Sequence, residues 1–290
     1  MKKVFFLCNW GESSESLLER FRKMTPNDNC EWGKIKGVSE INEADYFVVI
    51  EGIPKDIKTK IDNNKIILLK AETLTDTALE KTAKVCMTYN RECNFKQYVI
   101  SWWLDKKFSF LENLKYNVKE KNIVCIISGK TFLKGHIDRL SFVKSFCEAY
   151  PGYMDVYGFG LENFDWLGES YKGELNYKNN CKYNGLIDYK YSLCIENNSV
   201  KNYISEKLYD SFLAWTVPIY YGCPNIFDFF KKDSLINFDI HDKKFIDIIY
   251  EKSMLNVSSY QIERIRKSRQ KILYSYNLWA VVEDIINDCF

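Results

Sequence analysis

The feature that most constrains the fold is a series of short, almost unbroken apolar runs set apart by helix-sized spacers. Residues 4–8 (VFFLC), 46–50 (YFVVI) and 65–69 (KIILL) open the series. Residues 122–128 (NIVCIIS), 154–157 (MDVY), 191–195 (YSLCI), 217–221 (VPIYY) and 234–238 (SLINF) continue it. Runs of that length without polar alternation predict strands buried on both faces, and such strands belong to parallel sheets covered by helices. The spacers supply those helices. Residues 15–24 have helical spacing and end near Pro26. Residues 138–150 place Leu140, Val143, Phe146 and Cys147 three or four positions apart ahead of Pro151 and Gly152. Residues 242–252 and 259–286 read as helical, the latter with a break near 275–277. Residues 108–121 are charged, lack a strong apolar pattern and read as a linker. With 290 residues the chain has room for two such α/β lobes. In open sheets of this kind ligands sit beyond the carboxyl ends of the strands, which directs attention to the loops after Ser128 and Ile195.

Composition narrows the function. The formal charge is +2 and the charged residues are interspersed, so there is no basic stripe of the kind that binds nucleic acid. Ten cysteines occur without a CxxC pair and only two histidines are present, His136 and His241, which argues against a Cys/His zinc site. Several cysteines lie inside apolar runs (Cys8, Cys125, Cys194) and read as free buried thiols of a reducing compartment. The apolar run near the N-terminus is shorter than a signal core, and no stretch approaches the roughly 18 apolar residues of a membrane span. The expectation is a soluble, cytoplasmic protein.

The densest chemistry lies in residues 189–237, YKYSLCIENNSVKNYISEKLYDSFLAWTVPIYYGCPNIFDFFKKDSLIN. A strand ends at Ile195, Glu196 and Asn197 follow, and a helix is expected to start near 202–205, where Asn202 and Ser205 are good caps. Tyr203, Glu206, Lys207 and Asp210 then share one helical face, and Ile204, Leu208, Phe212 and Trp215 form an apolar stripe turned away from it. A helix N-terminus with a lysine in its first turns suits a pyrophosphate. The same pattern also fits an amphipathic helix whose Glu and Lys are merely solvated.

The string CIENN, a four-residue gap, then YISEKLYDSFLAWTVPIYYGCPN resembles the signature of the α1,3-fucosyltransferase family, glycosyltransferase family 10. That signature runs F/C-E-N-S, a short gap, Y-V-T-E-K, a helix, then G-x-V-P-V-Y-x-G. The clear similarity covers about 50 residues; a fainter likeness extends upstream toward Ile123 and Lys65.

The resemblance implies a GT-B α/β architecture, two Rossmann-like domains with parallel sheets facing across a cleft. Residues 1–118 would form an acceptor domain and 119–275 a donor domain, with a C-terminal helix at 276–290 returning to the first. It implies an inverting transfer of fucose from GDP-fucose to a hydroxyl of an oligosaccharide or glycoconjugate. The donor site would be lined by Glu196, Asn197, Tyr203, Glu206 and Lys207, with Lys207 on the diphosphate. Arg139 is placed as a second diphosphate ligand, with His136, Lys130 and Lys134 as nearby rivals. Glu72, just after the strand at 65–69, takes the place of the catalytic base. It lacks the proline that usually follows, and Asp76 is a possible substitute. Trp215 stands where the family usually has glycine. No two aspartates are separated by one residue, so there is no DxD metal motif and no cofactor is expected. Trp102 and Trp103 suit either sugar stacking or core packing. Two alternatives remain at this level: another GDP-sugar on the same fold, or a non-catalytic nucleotide-sugar or glycan binder. No strand is followed by GxGxxG, which disfavours a dehydrogenase.

Overall fold

The computed structural model describes residues 1–72, 78–88, 97–175 and 181–290. The candidate Asp76 lies outside the described residues. The chain divides into two compact units. The first comprises residues 1–101, 106–113 and 271–290; the second comprises 102–105 and 114–270.

In chain order the first unit begins with β1 (Lys2–Cys8), α1 (Ser14–Arg22), β2 (Glu31–Trp32), β3 (Ile35–Gly37), β4 (Tyr46–Ile50), β5 (Ile66–Leu69), α2 (Ala78–Thr82), β6 (Val85–Met87) and α3 (Phe108–Asn113). Its strands run in the order β2-β3-β1-β4-β5-β6, parallel throughout except for the antiparallel edge pair β2–β3. Successive side chains point to opposite faces. Phe5, Leu7, Phe47, Val49, Ile66 and Leu68 therefore form one buried face with Cys86. Phe6 points the other way and meets the rings of Phe21 and Trp279 edge-on at 4.9 and 5.2 Å.

The segment expected to be a linker is partly a helix. Phe108 and Leu111, three residues apart, are enough to bury one side of α3. The Phe108 ring lies edge-on to Trp32 and Tyr274, and its backbone N–H donates to the Lys23 carbonyl at 2.8 Å. Six residues with two buried positions are too short a pattern to register as a helix.

The second unit holds β7 (Lys121–Ile126), α4 (Lys134–Ala149), β8 (Met154–Tyr157), α5 (Asn184–Ile187), β9 (Tyr189–Ile195), α6 (Glu206–Leu213), β10 (Val217–Tyr221), α7 (Ile226–Phe229), β11 (Ile236–Asn237), α8 (Phe245–Met254) and most of α9 (Ser259–Tyr274). Its all-parallel sheet runs β11-β10-β9-β7-β8. Every residue of β9 is buried. The chain order reverses between β7 and β9, so the loops leaving these two neighbours diverge and open a crevice at their carboxyl ends.

The last turn of α9 and the final helix α10 (Leu278–Cys289) count with the first unit. The two helices are separated where a break was expected. Asn277, fully buried, caps α10 by accepting from the Trp279 N–H at 3.0 Å, and its amide donates to the Met24 carbonyl at 2.9 Å. Trp279 Nε1 donates to the Phe21 carbonyl at 2.8 Å. Among the described residues no helix is long and apolar enough to cross a membrane, and the cysteines are unbridged.

Candidate donor site

Two close approaches build the crevice of the second unit. A Cβ on Gly135 would stand 1.7 Å from the Asn197 carbonyl oxygen, so only glycine lets the first turn of α4 lie against the end of β9. A Cβ on Gly222 would stand 2.4 Å from Glu196 Cγ, so glycine after β10 leaves room for the Glu196 side chain. Helix α4 starts at Lys134, four residues ahead of the expected start, and its N-cap Leu133 makes no side-chain capping bond. With no capping residue to announce it, the true start is invisible in the sequence. The earlier start places His136 and Arg139 in the first two turns.

Arg139 is buried. Its Nη1 donates to Asn197 Oδ1 at 2.9 Å, and its Nη2 reaches the Ser128 carbonyl and hydroxyl at 3.3 Å each. These partners are neutral, and among the described residues Arg139 Nε has none. Burial lowers its pKa, which marks the guanidinium as a charge with little local compensation.

Helix α6 begins at Glu206 behind the N-cap Ser205, so Tyr203 and Ile204 precede it rather than ride on it. Glu196 is buried beneath this turn. It accepts from the Ser205 N–H at 2.8 Å and from the Ser205 hydroxyl at 2.5 Å, and Lys207 Nζ lies 3.5 Å away. Its carboxylate thus holds the strand end and the helix start together. Lys207 Nζ also approaches Glu206 at 3.7 Å and Ser205 Oγ at 3.1 Å. Burial works against the Lys207 charge, but Glu206 and Glu196 outweigh it and raise its pKa. Burial likewise opposes the Glu206 charge, yet Lys207 and Lys182 hold that carboxyl down at about 2.

Asp210 is fully buried, and Trp215 lies beyond the end of α6. Asp210 Oδ2 pairs with Lys182 Nζ at 2.7 Å, and Oδ1 accepts the Trp103 N–H at 3.0 Å. Lys182 does not stand out in the sequence, because it sits in a polar run with neither motif nor periodicity. Asp210 and Glu206 keep it charged against the effect of burial. Trp215 adopts φ +60°, the left-handed region that favours glycine, which is the residue the family signature carries there.

These groups surround a cleft of about 350 Å³ within the second unit. Arg139, Asn197, Glu206 and Lys207 all line it, joined by Ser128, Lys130, His136, Lys182 and Trp103. Glu196 and Tyr203 do not; both are buried beside it. Lys134 points to an exposed pair with Asp138 at 2.5 Å. Trp103 is the half-exposed member of its pair and Trp102 the buried one. Four cationic side chains line the cleft against the one carboxylate of Glu206, an imbalance suited to a multiply charged anion.

Residues 116–251, which include every cleft residue except Trp103, match the family described as glycosyltransferase family 10 (fucosyltransferase), C-terminal. That stretch of the chain is similar to the C-terminal domain of glycosyltransferase family 10. The α-(1,3)-fucosyltransferase FucT of Helicobacter pylori is 36% identical over 80 residues, 28% of this chain and 16% of that protein. GDP-fucose protein O-fucosyltransferase 3 of Xenopus tropicalis is 29% identical over 129 residues, 40% of this chain and 27% of the relative. The alignments thus span less than a third of either relative. A crystal structure of an α1,3-fucosyltransferase with GDP shares the fold, at a TM-score of 0.52 and 18% identity over 96% of this chain and 92% of the other. The two α/β units are those of the GT-B class. Glu72 lies outside the family-10 match, in the first unit. It is exposed on the loop after β5, and its N–H donates at 2.7 Å to the buried Glu51 carboxylate, which also binds Lys70.

Proposed function

We propose that this chain transfers fucose from GDP-fucose to a hydroxyl of a glycan or glycoconjugate, with inversion at the anomeric carbon. The observation that carries the reading is Arg139: a buried guanidinium that faces the cleft beside Lys207 and is bonded only to neutral groups. A buried cation without a carboxylate is costly unless an anion completes the site. A diphosphate is such an anion, and the same cations stabilise GDP as it departs. The family match over residues 116–251 and the names of the relatives favour a guanine nucleotide and fucose. Those names also differ in acceptor, a glycan in one and a protein in the other, so the acceptor class is kept broad.

Glu72 is assigned as the general base that takes the acceptor's proton. Its backbone is fixed by Glu51, which suits a group that must be held in place. The reaction is taken to run without a metal, because the sequence carries no DxD pair and side-chain cations stand ready for the diphosphate charge. The buried free thiols favour the reducing cytoplasm as the place of action, which subcellular fractionation checks.

The test is mass spectrometry of products from a panel of nucleotide sugars with a mixed glycan and glycopeptide library. Transfer from GDP-fucose that survives EDTA is the expected result; transfer only from another nucleotide sugar would overturn the donor assignment. Glu72→Gln should keep GDP-fucose binding while transfer falls by about 100-fold or more. Full turnover in that variant would remove Glu72 from the mechanism.

A further inference from the structure

Two nitrogens at the mouth of α4 have no hydrogen-bond partner among the described residues. His136 is 3% exposed and Arg139 is 2% exposed; both line the cleft. His136 Nδ1 and Arg139 Nε are buried, and among the described residues neither has a hydrogen-bond partner. Three residues apart, the two side chains share one face of the helix. Buried polar atoms are almost always satisfied, so two orphans side by side in one cleft point to a missing ligand that accepts hydrogen bonds.

Resting on the donor-site reading above, we propose that His136 is a proton-coupled ligand of the donor's diphosphate. It stays neutral in the empty cleft, takes a proton from solvent as the diphosphate enters, and donates a charged N–H···O bond to it.

The surroundings of the ring set this behaviour. On its own helix stand Arg139 and, outside the cleft, the Lys134–Asp138 pair. Lys130 faces it from the loop after β7, and Lys207 and Glu206 from α6. Asn197 closes the end of β9, with Glu196 bound beneath it to Ser205. The Phe132 ring lies edge-on against the imidazole at 4.6 Å. Burial, then Arg139, Lys130 and Lys207, lower the His136 pKa, so the free imidazole is neutral at physiological pH. A diphosphate diester brings two negative charges into contact with the ring and offsets the repulsion from these cations. The charged imidazolium then becomes the favoured form, and its bond to a phosphate oxygen is of the strong, charge-assisted kind. No bond to carbon forms or breaks; one proton moves from solvent to the ring.

Linkage fixes the consequence. When a ligand raises a group's pKa, affinity rises as pH falls between the bound and free values, by up to about tenfold per pH unit. Calorimetry of the full chain with GDP-fucose, whose diphosphate diester does not titrate near neutrality, reads this directly. Between about pH 8 and about pH 6 the affinity of the unaltered protein should rise several-fold. The observed heat should depend on the ionisation enthalpy of the buffer, the signature of proton uptake. His136→Gln keeps a polar side chain without a titrating proton. It should bind GDP-fucose several-fold more weakly than the unaltered protein at the lower pH, with the pH slope and the proton uptake both gone. Binding that is equally flat with pH in both proteins, without proton uptake, overturns the assignment of His136 and leaves the donor site standing. If the variant does not fold, a flat profile without proton uptake in the unaltered protein is enough to overturn it. Failure to bind GDP-fucose at any pH overturns the donor site together with His136.

Discussion

At the residue scale, the cleft sets lysines that are paired with carboxylates beside a buried arginine that is not. Lys207 and Lys182 each have a carboxylate within 4 Å, whereas Arg139 is held by an amide, a carbonyl and a hydroxyl. Loss of either Lys207 or Arg139 should remove stabilisation of the departing diphosphate. Lys207→Ala is expected to lower kcat/KM for the GDP-sugar by about 100-fold or more. Arg139→Lys should fail to rescue the site, because a point-like ammonium cannot reach Asn197 and Ser128 at once as the planar guanidinium does. Steady-state kinetics check both, and a fully active Arg139→Lys would show that only the charge matters. Glu206 and Lys207 are legible because they occupy a run of matched residues in fixed order. Lys182 is not, since its place beside Asp210 is created by tertiary packing that no local spacing encodes. The polar face expected for the helix differs from the observed one in two respects: Tyr203 lies ahead of the helix, and Asp210 turns inward, where it pairs with Lys182 and accepts the Trp103 N–H.

At the element scale, α6 is bounded by side chains rather than by propensity. Ser205 and Glu196 fix its first turn, while two buried cations gather its last carbonyls. Arg269 donates to Leu213 O and lies 4.5 Å over the Trp215 ring, and Lys119 donates to Ala214 O at 2.8 Å and to Ile187 O. Cations at a helix C-terminus complement its dipole. Burial nonetheless dominates at Lys119 and depresses its pKa from 10.5 to about 7, with Asp188 opposing the change. Between those two values the unfolded chain binds more protons than the folded one, so this group makes stability rise with pH across that window. Below about 7 both states carry the proton and the dependence ends. Lys119→Met should abolish the trend, so the stability difference between the two proteins should grow by a few kcal/mol (about 1.4 per pKa unit) between neutral pH and about pH 10. Denaturant titrations across that range measure it, and a constant difference would show that the ammonium stays charged throughout. The strands are legible because unbroken apolar runs admit few other structures. The start of α4 is not, because the chain marks it with Leu133 and Gly135, neither of which is a capping signal.

At the scale of the whole molecule, the first unit is assembled from distant stretches of chain. Trp279, fully buried, packs on Phe6 and Phe21 some 250 residues earlier and donates to Phe21 O. Trp279→Ala should therefore cost about 3–5 kcal/mol, read as a lowered denaturation midpoint; a cost below about 1 kcal/mol would show that α10 contributes little. The sequence alone does not encode this closure legibly, since an amphipathic helix does not announce which surface it will cover.

The buried thiols make the molecule its own reporter. Cys8 and Cys86 lie in the sheet of the first unit, Cys125 and Cys194 in that of the second, and each is hidden from solvent. A thiol reagent can reach them only when the surrounding structure opens, so labelling rates under native conditions measure the opening of each unit by itself. GDP-fucose at 100 times its Kd should slow labelling of Cys125 and Cys194 by about a hundredfold and leave Cys8 and Cys86 unchanged. Peptide-resolved mass spectrometry distinguishes that pattern from uniform protection, which would mean that the two units open together.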